Sequence, residues 1–272
     1  MPRPIRLEAL DERVLPALLS ILPFQAGVFR DGTWFLDTNH DRQLDAGDAT
    51  FIYGKAGDIP VVGDWNADGH SKVGVFRNVN GVGQFTLDTN GDRVFDAGDT
   101  VIYYGLGTDR PIVGDWDGSG RSKVGVVRGN AQGLALYSLD VNGNGVFDAA
   151  DAVFTYGFAS DQVVIGDWNT DYRSKVGVVR NNGSGGAVWT TDRNGDRVFD
   201  LGDFVFTFGQ ATDRMVVGDW NADTQDKVGR VRNDGKGNAQ WTLDINNNLT
   251  IDPGDPVFIY GKITDVPVVG NW

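Results

Sequence analysis

The 272-residue chain carries a net charge of −13, is 40% hydrophobic and 11% aromatic, and has no cysteine. That apolar content suffices for a sizeable core and argues against disorder, while the charge makes nucleic acid and anionic membranes poor partners and cations good ones. Without cysteine, disulfides and thiolate chemistry are excluded, a composition compatible with secretion; no apolar run reaches 18 residues, so membrane insertion is not expected.

The acidic residues are of one kind. Glu8 and Glu12 are the only glutamates, and aspartate supplies the rest. Aspartate is a poor helix former that favours turns, caps and metal loops. With 38 glycines beside it, it points to an all-β chain with many short loops.

In chain order, residues 1–23 stand apart. Their Pro-Arg-Pro-Ile-Arg-Leu-Glu-Ala-Leu-Asp-Glu-Arg start lacks the uninterrupted apolar core of a secretory signal. It resembles the Leu-Glu-x-Arg type of segment at the start of bacterial surface or secreted proteins; a helical arm packed on the following domain is the alternative. Residues 26–30 then read as a strand. From residue 60 a four-strand unit is legible: apolar, β-branched 60–65; Val-Gly-Val-Phe-Arg within 72–77; 84–88; and 100–104, each bounded by Gly, Asn and Asp. An aromatic stands three residues before an aspartate at Trp34, Phe85, Tyr137, Trp189 and Trp241. Another precedes a glycine at Tyr53, Tyr104, Tyr156, Phe208 and Tyr260. The unit recurs to the end, where 267–272 supplies only a first strand.

The period is sharp. An Asp-x-Asn-x-(Asp/Asn) phrase begins at Asp37, Asp88, Asp140, Asp192 and Asp244, in steps of 51, 52, 52 and 52 residues. Gly-Asp-Trp ends at Trp65, Trp116, Trp168 and Trp220, and the chain closes on Gly-Asn-Trp at Trp272. Four short strands per period make a propeller blade. The chain starts on the second strand of a unit and stops on the first strand of another, so the two ends together complete a blade. A closed five-bladed β-propeller over residues 24–272 is expected.

The phrase Val62-Gly-Asp-Trp-Asn-Ala-Asp-Gly69 followed by Lys72-Val-Gly-Val-Phe-Arg77 resembles the FG-GAP/VCBS-type repeats of integrin-α-like propellers and many bacterial surface proteins. The resemblance spans about residues 24–272. It is fairly specific for fold and weak for function, because the family hosts adhesion, ligand-binding and architectural modules.

Twelve-residue loops follow the third strands. Oxygen-bearing side chains fall at positions 1, 3, 5, 9 and 12, and position 7 can offer a carbonyl, which suits the six to eight oxygens of a hard cation. The candidate ligands are Asp37, Asn39, Asp41, Gln43, Asp45 and Asp48; Asp88, Asn90, Asp92, Val94, Asp96 and Asp99; Asp140, Asn142, Asn144, Val146, Asp148 and Asp151; Asp192, Asn194, Asp196, Val198, Asp200 and Asp203; Asp244, Asn246, Asn248, Thr250, Asp252 and Asp255. These loops resemble EF-hand and dockerin-type calcium loops, and up to five Ca²⁺ are expected, which would bring the net charge from −13 to −3. Two departures matter. Position 12 is Asp rather than the longer Glu, which works against bidentate ligation. Position 6 is Arg42, Arg93, Arg197 or Leu249 where the resemblance calls for Gly, so a different loop path is expected. The apolar residue at position 8 is expected to anchor the loop in the core. With Asn144 and Asn248 at position 5, the loops from Asp140 and Asp244 carry three aspartates instead of four and should bind more weakly. Self-capped aspartate turns are the alternative.

A second loop joins first and second strands, as in Asp64-Trp-Asn66-Ala-Asp68-Gly-His-Ser-Lys72. Calcium-binding relatives carry Asp at its ninth position; this chain has Lys72, Lys123, Lys175 and Lys227. An ammonium in place of a metal is expected, paired with Asp64 and Asp68 or their sisters. Both loop types fall at one end of the blades, and ligand specificity is expected at the other. Arg30, Arg77, Arg128, Arg180 and Arg232 are expected to pair with acids in neighbouring turns, such as Asp58, Asp109, Asp161, Asp213 and Asp265. Arg230 stands where sisters have Val28, Val75, Val126 and Val178, and is expected either in a central channel or in solvent.

Three functional classes are open to such a chain. Glycoside hydrolysis needs a unique pair of carboxyls, whereas nearly every carboxylate here repeats; His40 and His70 belong to no triad, and no catalytic activity is expected. A carbohydrate-binding, lectin-type propeller could use Trp34, Trp189 and Trp241 to stack on sugars, although such strand aromatics usually fill the core. The favoured expectation is a calcium-stabilised binding, adhesion or scaffold module, extracellular or on a bacterial cell surface, a monomer or part of a larger surface assembly, with an unidentified protein or carbohydrate ligand.

Overall fold

The computed structural model describes residues 23–272; the expected N-terminal arm lies outside the described residues. Twenty strands among them form five antiparallel sheets of four. Blade 1 combines the last strand with the first three: β20 (Val266–Gly270), β1 (Gln25–Arg30), β2 (Thr33–Leu36) and β3 (Ala49–Ile52). Blade 2 comprises β4 (Ile59–Gly63), β5 (Lys72–Val79), β6 (Val82–Leu87) and β7 (Thr100–Leu106). Blade 3 follows with β8 (Arg110–Gly114), β9 (Lys123–Gly129), β10 (Leu134–Leu139) and β11 (Ala152–Phe158). Blade 4 has β12 (Gln162–Gly166), β13 (Lys175–Asn181), β14 (Gly186–Thr191) and β15 (Phe204–Gln210). Blade 5 has β16 (Arg214–Gly218), β17 (Lys227–Asn233), β18 (Asn238–Leu243) and β19 (Val257–Lys262). The first strands β4, β8, β12, β16 and β20 touch one another in a ring, which makes the fold a five-bladed propeller closed by the β1–β20 pairing.

The strand sequences explain the layering. Each second strand reads as a continuous apolar run because its blade is covered on both faces by neighbours; Val73, Val75 and Phe76 are all buried. Each fourth strand alternates half-buried and exposed residues, as an edge covered on one face should. Gly74 has a specific reason: a Cβ there would lie 2.9 Å from Leu87 and 3.0 Å from Val61, in the space where those two side chains meet.

Two boundaries differ from expectation. The first strands stop at Gly63 and its sisters, not at the tryptophan, because the Asp opens a loop and the indole turns inward; Trp65 Nε1 donates to Val73 O at 3.0 Å. The hairpin between β5 and β6 is a two-residue Asn80-Gly81 turn, both residues at positive φ (54° and 90°), the twist-matched turn for strand pairs. The β1–β2 connection is equally short, whereas the corresponding connections of blades 3, 4 and 5 have four residues.

The expected arginine–aspartate pairs form in every blade: Arg30–Asp265, Arg77–Asp58, Arg128–Asp109, Arg180–Asp161 and Arg232–Asp213, each at 2.6 Å. The same aspartates accept amides of the turns between blades, as Asp213 does from Gln210 at 2.8 Å. Arg230 reaches neither the channel nor open solvent. It lies half-buried against the preceding blade, with Nη1 at 3.4 Å from Asp213. Burial alone would raise the Asp213 carboxyl, but hydrogen bonds from Arg232 and the Gln210 amide, with the charges of both arginines, hold it below its ordinary range. A carboxyl lowered on folding stabilises at neutral pH, and that contribution is lost as the pH falls through its lowered value. Asp213→Ala should cost about 3 kcal/mol at pH 7, the usual penalty for a buried pair broken on one side, with a smaller cost in strong acid; urea unfolding at several pH values checks both.

Candidate cation loops and the axial channel

The two loop types share one backbone design at their first six residues. In the twelve-residue loops, position 4 is left-handed at His40, Gly91, Gly143, Gly195 and Asn247, and position 6 at Arg42, Arg93, Gly145, Arg197 and Leu249. The shorter loops repeat this at Ala67, Gly118, Thr170 and Ala222, then Gly69, Gly120, Tyr172 and Thr224. The expected different path at position 6 is not taken; the left-handed turn is kept without glycine, at a cost of about 1 kcal/mol per residue. What holds it is position 1. Asp37 accepts the amides of Asp41 and Arg42, both at 3.1 Å, and Asp64 accepts those of Asp68 and Gly69 at 3.2 and 2.7 Å.

In the shorter loops this cradle contains an ammonium. Lys72 Nζ lies 2.6 Å from Asp68, 3.5 Å from Asp64 and 3.1 Å from His70 O. Lys227 Nζ meets Asn221 Oδ1 at 2.7 Å, Asp223 at 2.5 Å and Gln225 O at 2.8 Å, with its side chain only 1% exposed. Lys123 is bound by Asp117 and Ser119, and Lys175 by Asp171 and Arg173 O. Four enclosed ammonium groups, each among oxygens, occupy the place the sequence assigned them. Blade 1 has no continuous loop here. Gln25 stands in the lysine's register and donates to Pro23 O at 3.1 Å, and Asn271 stands in the aspartate's. The ion cluster is replaced there by neutral amides. Gln25 carries no lysine signal, and alignment of Gln-Ala-Gly-Val-Phe-Arg with Lys-Val-Gly-Val-Phe-Arg reveals it.

The twelve-residue loops have the same cradle and no lysine. Asp37, Asp88, Asp140, Asp192 and Asp244 are fully buried at position 1. Burial first, then neighbouring carboxylates such as Asp48 and Asp99, push these five carboxyls up despite the amides that favour their charged form. At position 12, Oδ1 of Asp48, Asp99, Asp151, Asp203 and Asp255 is enclosed in all five loops and meets no hydrogen-bond partner among the described residues. Their other oxygens tie neighbouring blades together: Tyr53, Tyr104 and Tyr260 donate to Asp99, Asp151 and Asp48 at 2.9–3.0 Å, whereas Phe208 has no hydroxyl to offer. The remaining candidates are held within the loop. The Asn39, Asn90 and Asn194 amides bind Asp41, Asp92 and Asp196 at 2.8–3.1 Å. Asn144 and Asn248 bind Asp148 and Asp252. Asp45, Asp96 and Asp200 accept the amides of Gly47, Gly98 and Gly202. Among the described residues, no three acid or imidazole side chains close on one metal-sized point. The donor set nevertheless suits a hard cation: enclosed, orphaned carboxylate oxygens are costly unless an ion or donor meets them.

Position 8 corrects a further expectation. Leu44, Phe95, Phe147, Phe199 and Ile251 do not enter the core; they are 38–61% exposed. Phe147 and Phe199 rest edge-on against Tyr104 and Tyr156 of the preceding blades. Trp34, Trp189 and Trp241, by contrast, are completely buried, with indole nitrogens bonded to Tyr53, Phe208 and Tyr260 carbonyls. They offer no face to a sugar.

The shorter loops also line a cavity of about 470 Å³ on the propeller axis. Val62, Val113, Ile165, Val217 and Val269 form its apolar wall. Around its rim, the residue before each lysine bonds the preceding blade. Ser71, Ser122 and Ser174 accept the amides of Asn271, Asp64 and Asp115 on their hydroxyls. In blade 5 the sister residue is Asp226, which takes the Asp167 amide on Oδ2 at 2.8 Å. Asp226 is one of the few carboxylates that follow no repeat. Comparison of this one column in the sequence (Phe24, Ser71, Ser122, Ser174, Asp226) would have exposed it. No protein family, curated protein or solved structure matches the chain.

Replacing the ammonium by a carboxylate tests the cradle directly. Lys72→Asp should lose about 3 kcal/mol without metal, as expected for a half-removed buried pair, and regain most of it in millimolar Ca²⁺; thermal unfolding with and without the ion measures both. A variant indifferent to calcium would show that the cradle is lysine-specific.

Proposed function

We propose that this chain is a calcium-stabilised propeller that serves as a binding, adhesion or scaffold module outside the cytoplasm, with one Ca²⁺ in each of up to five twelve-residue loops. One observation carries this reading. The chain builds the same six-residue cradle nine times; the four with a lysine at position 9 surround its ammonium with oxygens, and the five without one leave a buried aspartate at position 1 and an orphaned oxygen at position 12. A divalent cation supplies to the second group what lysine supplies to the first. Asp, Asn and a position-7 carbonyl are oxygen donors of the kind Ca²⁺ takes.

The FG-GAP/VCBS-like phrases support the same reading, as does the address it implies: millimolar extracellular calcium keeps modest sites filled, and one site held at 100 times its dissociation constant adds about 2.7 kcal/mol. The repetition of most carboxylates and the burial of the candidate stacking tryptophans favour a module over a glycoside hydrolase or a lectin.

Calorimetric titration of the metal-stripped protein should find three to five Ca²⁺ and a marked rise in melting temperature. Asp99→Ala should remove one site, and the loops from Asp140 and Asp244 should fill last. Absence of both binding and stabilisation would leave self-capped turns as the correct description.

A further inference from the structure

We propose that the axial channel binds a small organic ammonium ion between blades 4, 5 and 1, held by the free carboxylate oxygen of Asp226 and by the aromatic residues Tyr172 and Phe24. The inference is independent of calcium in the outer loops.

The repeat supplies the internal control. At the column before each lysine, a serine hydroxyl is enough to accept the preceding blade's amide. Asp226 does that work with Oδ2 and adds a second oxygen and a charge that the interface does not use. Tyr172 departs from its column as well. The position is left-handed, with φ of 84° at Gly69 and 81° at Gly120, yet Tyr172 adopts φ 63° there. Thr224 adopts φ 71° in the same column, so the conformation belongs to the loop; what Tyr172 alone adds there is an aromatic ring on the channel lining. The two departures meet through one residue: Asp167 donates its amide to Asp226 and accepts the Tyr172 amide at 2.7 Å. Phe24 completes the arc, its own amide bonded to Asp219 O at 2.8 Å. The rim of blades 2 and 3 carries only small residues, Ser71, Ser122, Gly69 and Gly120.

Chemistry selects the ligand class. The wall is apolar, and the neighbouring carboxylates are occupied, since Asp64, Asp115, Asp167 and Asp219 accept their own loop amides. A hard metal would find one spare oxygen where it needs six or more. An alkylammonium needs one carboxylate, an aromatic neighbour and an apolar wall. Asp226 is half-buried by surface area but ringed by protein, because what it faces is the channel. Burial pushes its carboxyl up to about 7; the charges of Asp167 and Asp219 add to this, while the Asp167 amide and Lys227 oppose it. Phe24 and the channel wall are uncharged. A bound ammonium restores the ionised form, so uptake near pH 7 releases part of a proton.

Butylammonium chloride titrated calorimetrically into the full chain, with n-butanol as the neutral match, tests the site. Expected are one site, at least about tenfold preference for the ammonium, and an enthalpy that changes with the buffer's heat of ionisation. Asp226→Ser installs the sister residue and should weaken binding about tenfold or more, and Tyr172→Gly severalfold, with melting temperatures preserved. If Asp226→Ser does not fold, Asp226→Asn keeps the acceptor for the Asp167 amide and removes the charge. Binding that is absent, equal for butanol, or unchanged in the Asp226 variants overturns the proposal.

Discussion

A blade of this protein is apolar on both faces along its second strand, so it has nowhere to stand except between two others. That requirement governs the rest. It makes an open array unfavourable at either end and favours the ring closed by β1 on β20. It also turns each blade-to-blade contact into a place where polar groups must be satisfied locally, since water is largely absent. The arginine–aspartate pairs at one end and the lysine cradles at the other are such solutions. Each combines a charge with the amides of a tight turn, and neither stands alone. The closing blade shows how conditional the second one is. Its first strand, β20, comes from the far end of the sequence, and Gln25 and Asn271 stand there in place of the charges.

The two loop types solve one electrostatic problem in two ways. Aspartate at position 1 orders the turn by accepting two amides, which puts a carboxylate in a buried place. A buried carboxylate needs a counter-charge within reach. Lysine brings one covalently, permanently and without dependence on the medium. On the proposed calcium reading, a loop that omits lysine leaves the counter-charge to solution, and its folding follows the calcium concentration. The tyrosines extend the consequence. Three of them bond the position-12 carboxylates of the next blade, so ordering a loop also fixes a blade interface. The Tyr156–Asp203 and Phe208–Asp255 junctions lack that link.

The period, the blade count and the ring closure were legible because they rest on phrases repeated at fixed spacing, and repetition suppresses local noise. The arginine and lysine partners were legible for a related reason: charges that recur together need each other. Failures came where an analogy replaced local physics. Position 8 was assigned to the core from calcium loops that sit between helices; here the loop projects beyond a sheet, and Phe95 meets solvent instead. Trp65 read as strand because it is apolar, yet its indole reaches back to Val73 from within the loop. Arg230 replaces a valine that packs between blades, so its surroundings were those of an interface and not of a channel. Asp226 escaped because carboxylates were judged as sets, and a single one in an otherwise serine column belongs to no set.

A single carboxylate in a serine column bears on how function enters a repeat fold. A feature present in every blade is explained by what every blade must do, which is to fold, pair and close. A ligand held against one arc of the axial cavity needs residues that break the pattern and break it together. Asp226 and Tyr172 satisfy both conditions, being joined through Asp167 on the same arc of rim. Arg230 breaks the pattern singly, and its charge is answered by Asp213. A departure whose charge is answered by a neighbouring carboxylate is an accommodation. One that keeps its sisters' structural bond and leaves a charged oxygen facing an apolar cavity has a capacity the fold does not use.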